Sequence, residues 1–132
     1  RQGAMIDRHR SLALHGGAQE RAAFVEVIAH GGTGPIQTTR VLDGEHHSAF
    51  RFIDLTQIPP GCSVGVHTHA EDEEVYIIIS GRGRMTVDGE TFEVGPGHVI
   101  RNVPGGTHGL INVGSELLTM VVLDVASLSP QS

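Results

Sequence analysis

Short runs of β-forming residues, separated by glycine and proline turns, recur along most of this 132-residue sequence and constrain its fold more than any other feature. The 18 glycines are about twice the usual share, and most fall between these runs. Strands are predicted at Phe24–Ala29, Ile36–Leu42, Ala49–Leu55, Cys62–His69, Glu74–Ile79, Gly83–Val87, Thr91–Val94, His98–Val103, Thr107–Val113 and Leu117–Asp124. Their regular spacing favours an all-β sandwich or barrel over alternating strands and helices.

The strongest local signal is a hairpin between Met85 and Val94. Asp88 and Gly89 are typical of a tight turn whose residues have positive φ, and apolar residues alternate with polar ones on both sides. Met85 and Phe92 are therefore expected on the buried face. A weak helical pattern covers only residues 7–23.

Length and N-terminal composition indicate the domain organisation. A chain of 132 residues has room for one domain with one core. Residues 1–4 resemble the remnant of an expression tag, so the domain is expected to span residues 5–132.

Charge and cysteine content narrow the range of partners and compartments. The net charge is −6, and the nine Lys and Arg residues form no dense run, which argues against a nucleic-acid partner. Cys62 is the only cysteine, so no internal disulfide can form. No apolar run approaches the roughly 18 residues of a membrane span, and the N-terminus lacks the layout of a secretion signal. We therefore expect a cytoplasmic protein whose partner is a small molecule.

Three histidines and an acidic residue are candidate metal ligands. His67 and His69 are two residues apart in a predicted strand, so both imidazoles should lie on the same face. Glu74 follows an acidic turn at the start of the next strand, and His108 begins a later strand after a second glycine-rich turn. This nitrogen and oxygen ligand set suits one divalent transition metal ion, namely Fe, Mn, Ni, Co, Cu or Zn, better than Ca²⁺ or Mg²⁺.

The spacing of these residues resembles the first motif of the cupin family. Gly61 is followed by five residues, His67-x-His69, four residues, Glu74, six residues and Gly81. Glu71, Asp72 and Glu73 compete with Glu74 as the carboxylate ligand, but only Glu74 leaves the six-residue gap to Gly81.

Residues 97–112 are similar to the second cupin motif. They contain a Pro-Gly turn, then His108, and Asn112 four positions later. Two departures are visible: the turn between Pro104 and His108 is one residue shorter than usual, and His98 replaces the Asp that most often follows the first glycine. The two motifs together cover residues 61–81 and 97–112.

The resemblance implies a double-stranded β-helix, or jelly-roll barrel of the RmlC-like cupin type, with a metal at one mouth. It also implies a homodimer, in which the segment Phe24–Leu42 could supply an exchanged or augmenting strand. The function it implies first is a metal-dependent enzyme acting on a small oxygen-rich molecule by dioxygenation, isomerisation, decarboxylation or cyclisation. The alternative is a non-catalytic binding or sensing module with a structural metal, and the fold does not choose between them.

Further residues are candidates for the pocket itself. Tyr76 shares the strand face of Glu74, so it either lines the pocket or packs in the core. His98 could act as an acid or base, and Arg101, like Arg51, would bind a substrate carboxylate if it faces inward. Facing outward, either arginine would only keep its strand soluble. Two other residues are assigned no ligand role: Cys62 is expected to pack, and Asn112 to form hydrogen bonds near the site.

Overall fold

The computed structural model describes residues 24–44 and 49–126, in which ten strands form two antiparallel sheets. The strands are β1 (Val25–Val27), β2 (Ile36–Asp43), β3 (Phe50–Ile58), β4 (Ser63–Thr68), β5 (Asp72–Ser80), β6 (Gly83–Val87), β7 (Glu90–Val94), β8 (Val99–Asn102), β9 (Thr107–Asn112) and β10 (Leu118–Ala126). Each predicted strand is present, with ends shifted by a few residues. The predicted tag remnant and the weak helical pattern of residues 7–23 lie outside the described residues. Within the described ranges no helix is long and apolar enough to cross a membrane.

The strand order is that of a jelly-roll barrel. The larger sheet has the order β1-β2-β3-β10-β5-β8 and the smaller sheet the order β4-β9-β6-β7. The fold is therefore all-β, as predicted. Strand β1 pairs with β2, and β2 pairs with β3 of the same chain, so in this structure the segment Phe24–Leu42 extends the chain's own larger sheet. The homodimer stays a prediction.

The hairpin of β6 and β7 forms as predicted. Asp88 and Gly89 have φ values of 49° and 85°, which gives the turn the twist that adjacent strands need. Met85 is fully buried, whereas Phe92, its partner across the hairpin, is 42% exposed. The expectation for Phe92 was wrong because β7 is the outer strand of the smaller sheet and its neighbours do not cover that position.

Inward-facing residues change in character from one end of the barrel to the other. At the end that we call the base, they are apolar and fully buried: Ile58, Ile78, Leu110 and Leu118. At the opposite end, which we call the mouth, the same strands and β8 carry buried polar residues: Glu74, Asn102, His108 and Asp124. Glu74 pairs with Asn102 on one side and with Asp124 on the other, so these three residues lie side by side across the larger sheet.

Candidate metal centre

An irregularity in β4 turns its two histidines into the barrel. The pairing of β4 with β9 shifts register between Val64 and His67. Val64 and His67 therefore both face the interior, although they are three residues apart. In a regular strand residues three apart would face opposite sides. Gly65 lies in this bulge, and a Cβ on it would be 2.1 Å from the carbonyl oxygen of His30. The bulge therefore depends on a glycine where the chain from residue 29 to 33 packs against β4.

The four predicted ligands come together at the mouth. His67 pairs directly with His108 across β4 and β9, and His69 lies two residues beyond His67. Oε1 of Glu74 is 3.2 Å from Nε2 of His69 and 3.3 Å from Nε2 of His108. One donor atom from each of the four residues lies within 4.8 Å of the other three. The shortened turn before His108 thus does not prevent its imidazole from reaching the cluster.

The ring nitrogens are arranged as a metal ion would require. Nδ1 of His67 donates a hydrogen bond to the carbonyl oxygen of Gly65 at 2.7 Å, which leaves the lone pair on Nε2. Nε2 of His67 and Nε2 of His69 are buried and make no hydrogen bond among the described residues; the 3.2 Å contact of His69 with Glu74 is a close approach without hydrogen-bond geometry. Buried nitrogen atoms of this kind are costly unless a cation or a donor satisfies them. The donor set therefore fits a divalent transition metal.

The protonation states of two ligands also favour a cation. Burial lowers the pKa of His67 to about 4, and the neighbouring histidines add to the effect, so this imidazole is neutral at pH 7. Burial opposes ionisation of Glu74, but the hydrogen bond from His108 and the charges of His69 and His108 outweigh it and lower the pKa of Glu74. A neutral imidazole and an ionised carboxylate are the forms that bind metal.

Two further carboxyl groups lie behind these ligands. Oδ1 of Asp72 is 3.4 Å from Nδ1 of His69, a contact that orients the ring from its far side. Asp124 is fully buried, and burial together with the nearby Asp72 and Glu74 raises its pKa to about 8. Nε of Arg51 is 3.6 Å from Oδ1 of Asp124, so this exposed arginine faces the carboxyl group from outside.

Of the three residues predicted to act on a substrate, the structure brings only Tyr76 to the cluster. Tyr76 is 2% exposed, and its ring lies edge-on to His108 with the centroids 5.7 Å apart. Burial, with the charge of Glu74, raises the pKa of Tyr76 well above 10, so it remains a phenol.

His98 and Arg101 lie outside the cluster. His98 is exposed, and its Nδ1 accepts a hydrogen bond from the amide of Gly95 at 2.7 Å, which closes the turn before β8. Arg101 is exposed, and its Nε is 2.5 Å from Oε2 of Glu73. The structure therefore does not bring the two predicted residues to the cluster: Arg101 lies on the outward face of β8, and His98 turns toward its own loop.

Three residues near the cluster were missed by sequence reasoning. The ring of His30 stacks on that of His67, with the centroids 3.5 Å apart and the planes 4° apart. No local sequence pattern marks His30, because the contact arises from packing of its turn on β4. Asn102 and Asp124 did carry a signal: each is a polar residue on the inward face of an otherwise apolar strand.

Cys62 and Asn112 have structural roles. Cys62 packs against the buried apolar cluster, as predicted. Asn112 does form hydrogen bonds, but at the base and not near the site: its Nδ2 donates to the carbonyl oxygens of Ile58 and Glu116, and its Oδ1 accepts from the amide of Gly114. Its position four residues along β9 from His108 places it at the other end of the barrel.

Comparison with known families and proteins gives consistent matches. Residues 54–125 match the model of the cupin domain family. A relative from Thermotoga maritima named "Oxalate-binding protein" is 31% identical over 97 residues, which are 70% of this chain and 80% of that protein. An uncharacterised protein from Methanocaldococcus jannaschii is 41% identical over 58 residues, 44% of this chain and 46% of that protein.

Solved structures with the same fold are also found. The crystal structure of a predicted oxalate decarboxylase from Thermotoga maritima has a TM-score of 0.78 and 26% identity, and the match covers 81% of this chain and 95% of that one. A putative sugar phosphate isomerase from Acidithiobacillus ferrooxidans has a TM-score of 0.70 and 24% identity, covering 87% of this chain and 76% of that one. At that identity the second likeness bears on the fold alone.

Proposed function

Because this chain belongs to the cupin domain family, we propose that it binds a small oxygen-rich carboxylate through a divalent transition metal ion held at the mouth of the barrel. One observation carries the proposal: single donor atoms of His67, His69, Glu74 and His108 converge to within 4.8 Å of one another. The similarity to a protein named for oxalate binding supports a small chelating carboxylate as the ligand class.

The four proposed ligands determine which metal ions suit the site and how the ion would be held. Three neutral imidazoles and one carboxylate suit Fe(II), Mn(II), Ni(II), Co(II), Cu(II) or Zn(II), and an ion of this type supplies Lewis acidity and open positions for an oxygen ligand. Glu74 supplies the negative charge of the ligand set. His67 is fixed in the required tautomer by Gly65, and Asp72 orients His69.

The pocket wall limits the size and chemistry of the bound molecule. Tyr76 remains protonated because of its raised pKa, so its hydroxyl group can donate a hydrogen bond to an anionic oxygen. Below Tyr76 on the same face, Ile78 closes the interior toward the base. A small, flat carboxylate fits this arrangement better than an extended substrate.

The second candidate function is an enzyme that transforms the bound carboxylate. It is favoured by the structural likeness to a predicted oxalate decarboxylase and by the position of Tyr76 beside His108. Decarboxylation of oxalate would break the carbon–carbon bond, release carbon dioxide and require one proton on the remaining carbon to give formate. The phenol of Tyr76 is the nearest candidate proton donor that sequence reasoning identified.

The metal assignment is tested by His69→Ala, with His98→Ala as the matched control. Elemental analysis and metal titration are expected to find one ion per chain in the wild type and in His98→Ala. In His69→Ala the affinity should fall by more than the roughly 10–100-fold that loss of an outer-shell partner costs. An unchanged metal affinity in His69→Ala would remove this residue from the ligand set.

The ligand assignment is tested by calorimetric titration of oxalate into the metal-loaded and the metal-free protein. Binding is expected only with metal, and acetate, which has a single carboxylate and cannot chelate as oxalate does, should bind more weakly. Carbon-13 NMR of the mixture then separates the two functions, because formate accumulates only if the protein is an enzyme. If formate does accumulate, Tyr76→Phe should slow its formation while leaving oxalate affinity within a fewfold of the wild type.

A further inference from the structure

Asn102 is a buried amide at the mouth for which the fold supplies no partner. It ends β8, pairs directly with Glu74 on β5, and shares its inward face with Ile100. Its side chain is 3% exposed, and neither Nδ2 nor Oδ1 has a hydrogen-bond partner among the described residues. Side chains directly opposite each other in such a pair lie about 4.5–5.5 Å apart at Cβ, so Asn102 flanks the proposed carboxylate ligand.

Packing alone does not explain an amide at this position. An unsatisfied buried amide costs free energy, and an apolar residue would continue the packing of Ile100 without that cost. The other fully buried asparagine, Asn112, has partners for both ends of its amide. The contrast indicates that the partner of Asn102 is a bound molecule.

The donors and acceptors around the cluster indicate what that molecule offers. His67, His69, Glu74 and His108 present lone pairs to a shared cation, and none of these aimed atoms can donate to an anion once a metal is held. The arginines on nearby strands are already paired with carboxylates: Arg40 with Asp54, Arg51 with Asp124 and Arg101 with Glu73. Besides the phenol of Tyr76, the amide of Asn102 is therefore an uncharged donor at the mouth, and it has no hydrogen-bond partner among the described residues.

We propose that Asn102 recognises the metal-bound carboxylate, with its Nδ2 donating a hydrogen bond to a ligand oxygen. This inference rests on the proposed function and deepens it by assigning specificity to a residue that is not a metal ligand. Because the amide is neutral, it can bind an anionic oxygen beside Glu74 without placing a full positive charge at the site. Oδ1 would in turn accept a hydrogen bond from a hydroxyl group or a protonated carboxyl group of the ligand. A ligand that offers both an anionic oxygen for Nδ2 and an O–H group for Oδ1 is therefore bound best.

The test uses Asn102→Leu, which keeps the branching of the side chain and removes its polar atoms, and Asn102→Ala, which cannot overpack the mouth. Arg101→Gln is the matched control, because it changes the adjacent, outward-facing residue of the same strand. Metal content, oxalate affinity of the metal-loaded protein and thermal stability are measured for each. Both Asn102 variants should keep one metal ion and a thermal stability close to that of the wild type, while oxalate affinity falls about 10- to 100-fold. Arg101→Gln should keep wild-type affinity.

Three results would overturn the inference, and only the third of them would also contradict the proposed function. Wild-type oxalate affinity in Asn102→Ala and Asn102→Leu, with metal bound, would show that the amide does not contact the ligand while leaving the metal function intact. A marked loss of stability in both variants would show that the amide has a structural partner. Failure of the metal-loaded wild type to bind oxalate would contradict the proposed function and this inference with it.

Discussion

The two ends of the barrel use the same strands for opposite purposes. On β5 the inward residues run from Glu74 through Tyr76 to Ile78, and on β9 they run from His108 to Leu110. The apolar end stabilises the fold by removing hydrocarbon from water, whereas the polar end buries groups that the fold does not fully satisfy. The barrel thus concentrates stability at its base and leaves the mouth suited to binding.

The two buried asparagines make this difference specific. Asn112 at the base has bonds to three backbone groups, and Asn102 at the mouth has none among the described residues. Burial is nearly the same, at 1% and 3% exposed. Burial of a polar residue therefore does not reveal its role; the presence or absence of partners does.

The largest effect on stability is expected at the base. Leu118 is fully buried and pairs with Ile58, so Leu118→Ala should lower the free energy of unfolding by about 2–5 kcal/mol through lost burial and a residual cavity. Val99→Ala is the control, because Val99 is 63% exposed and should change stability by less than about 0.5 kcal/mol. Denaturant unfolding measures both, and equal effects would contradict the view that the buried apolar base stabilises the fold.

At the mouth, stability should depend on metal and on pH. Metal at 100 times its dissociation constant should raise the free energy of unfolding by about 2.7 kcal/mol, and a chelator should remove that gain. In the metal-free protein His67 has a pKa of about 4 against about 6.5 when unfolded. The unfolded chain binds more protons between these values, so the contribution of His67 is complete above pH 6.5 and is lost as pH falls through 4.

Thermal unfolding with and without metal, between pH 4 and pH 8, checks this prediction. His67→Ala should abolish the metal-dependent gain and flatten the part of the pH dependence that His67 causes. A metal-dependent gain of the same size in His67→Ala would contradict the assignment of His67 as a ligand.

The sequence was sufficient to predict the strands and the convergence of the four candidate ligands, because both depend on local patterns. Strand periodicity and glycine turns locate the strands, and the spacing around His67, His69 and Glu74 is itself a local signature. The bulge at Gly65 was not predicted, and it changes which residues of β4 face inward.

The remaining features depend on contacts between distant segments. The stacking of His30 on His67 and the outward positions of His98 and Arg101 follow from how turns and strands pack, which no single stretch of sequence specifies. The second motif predicted that Asn112 forms hydrogen bonds, but not that they lie at the base of the barrel. The sequence shows Asn102 and Asp124 as polar residues at inward positions of apolar strands. Only the structure shows that the amide of Asn102 lacks a partner among the described residues and that Asp124 lies beside Asp72 and Glu74.

The last prediction compares the two buried asparagines, for which the expected changes in the free energy of unfolding are the smallest. Asn112→Ala removes both ends of an amide that bonds three backbone groups, so it should lower the free energy of unfolding by about 1–3 kcal/mol. Asn102→Ala removes no protein hydrogen bond, so metal-free stability should change by less than about 1 kcal/mol, partly because loss of the unsatisfied amide offsets loss of packing. Denaturant unfolding of both metal-free variants measures the difference. An equal loss of unfolding free energy in the two variants would mean that Asn102 stabilises the fold as much as Asn112 does. The distinction between a structural base and a binding mouth would then no longer hold.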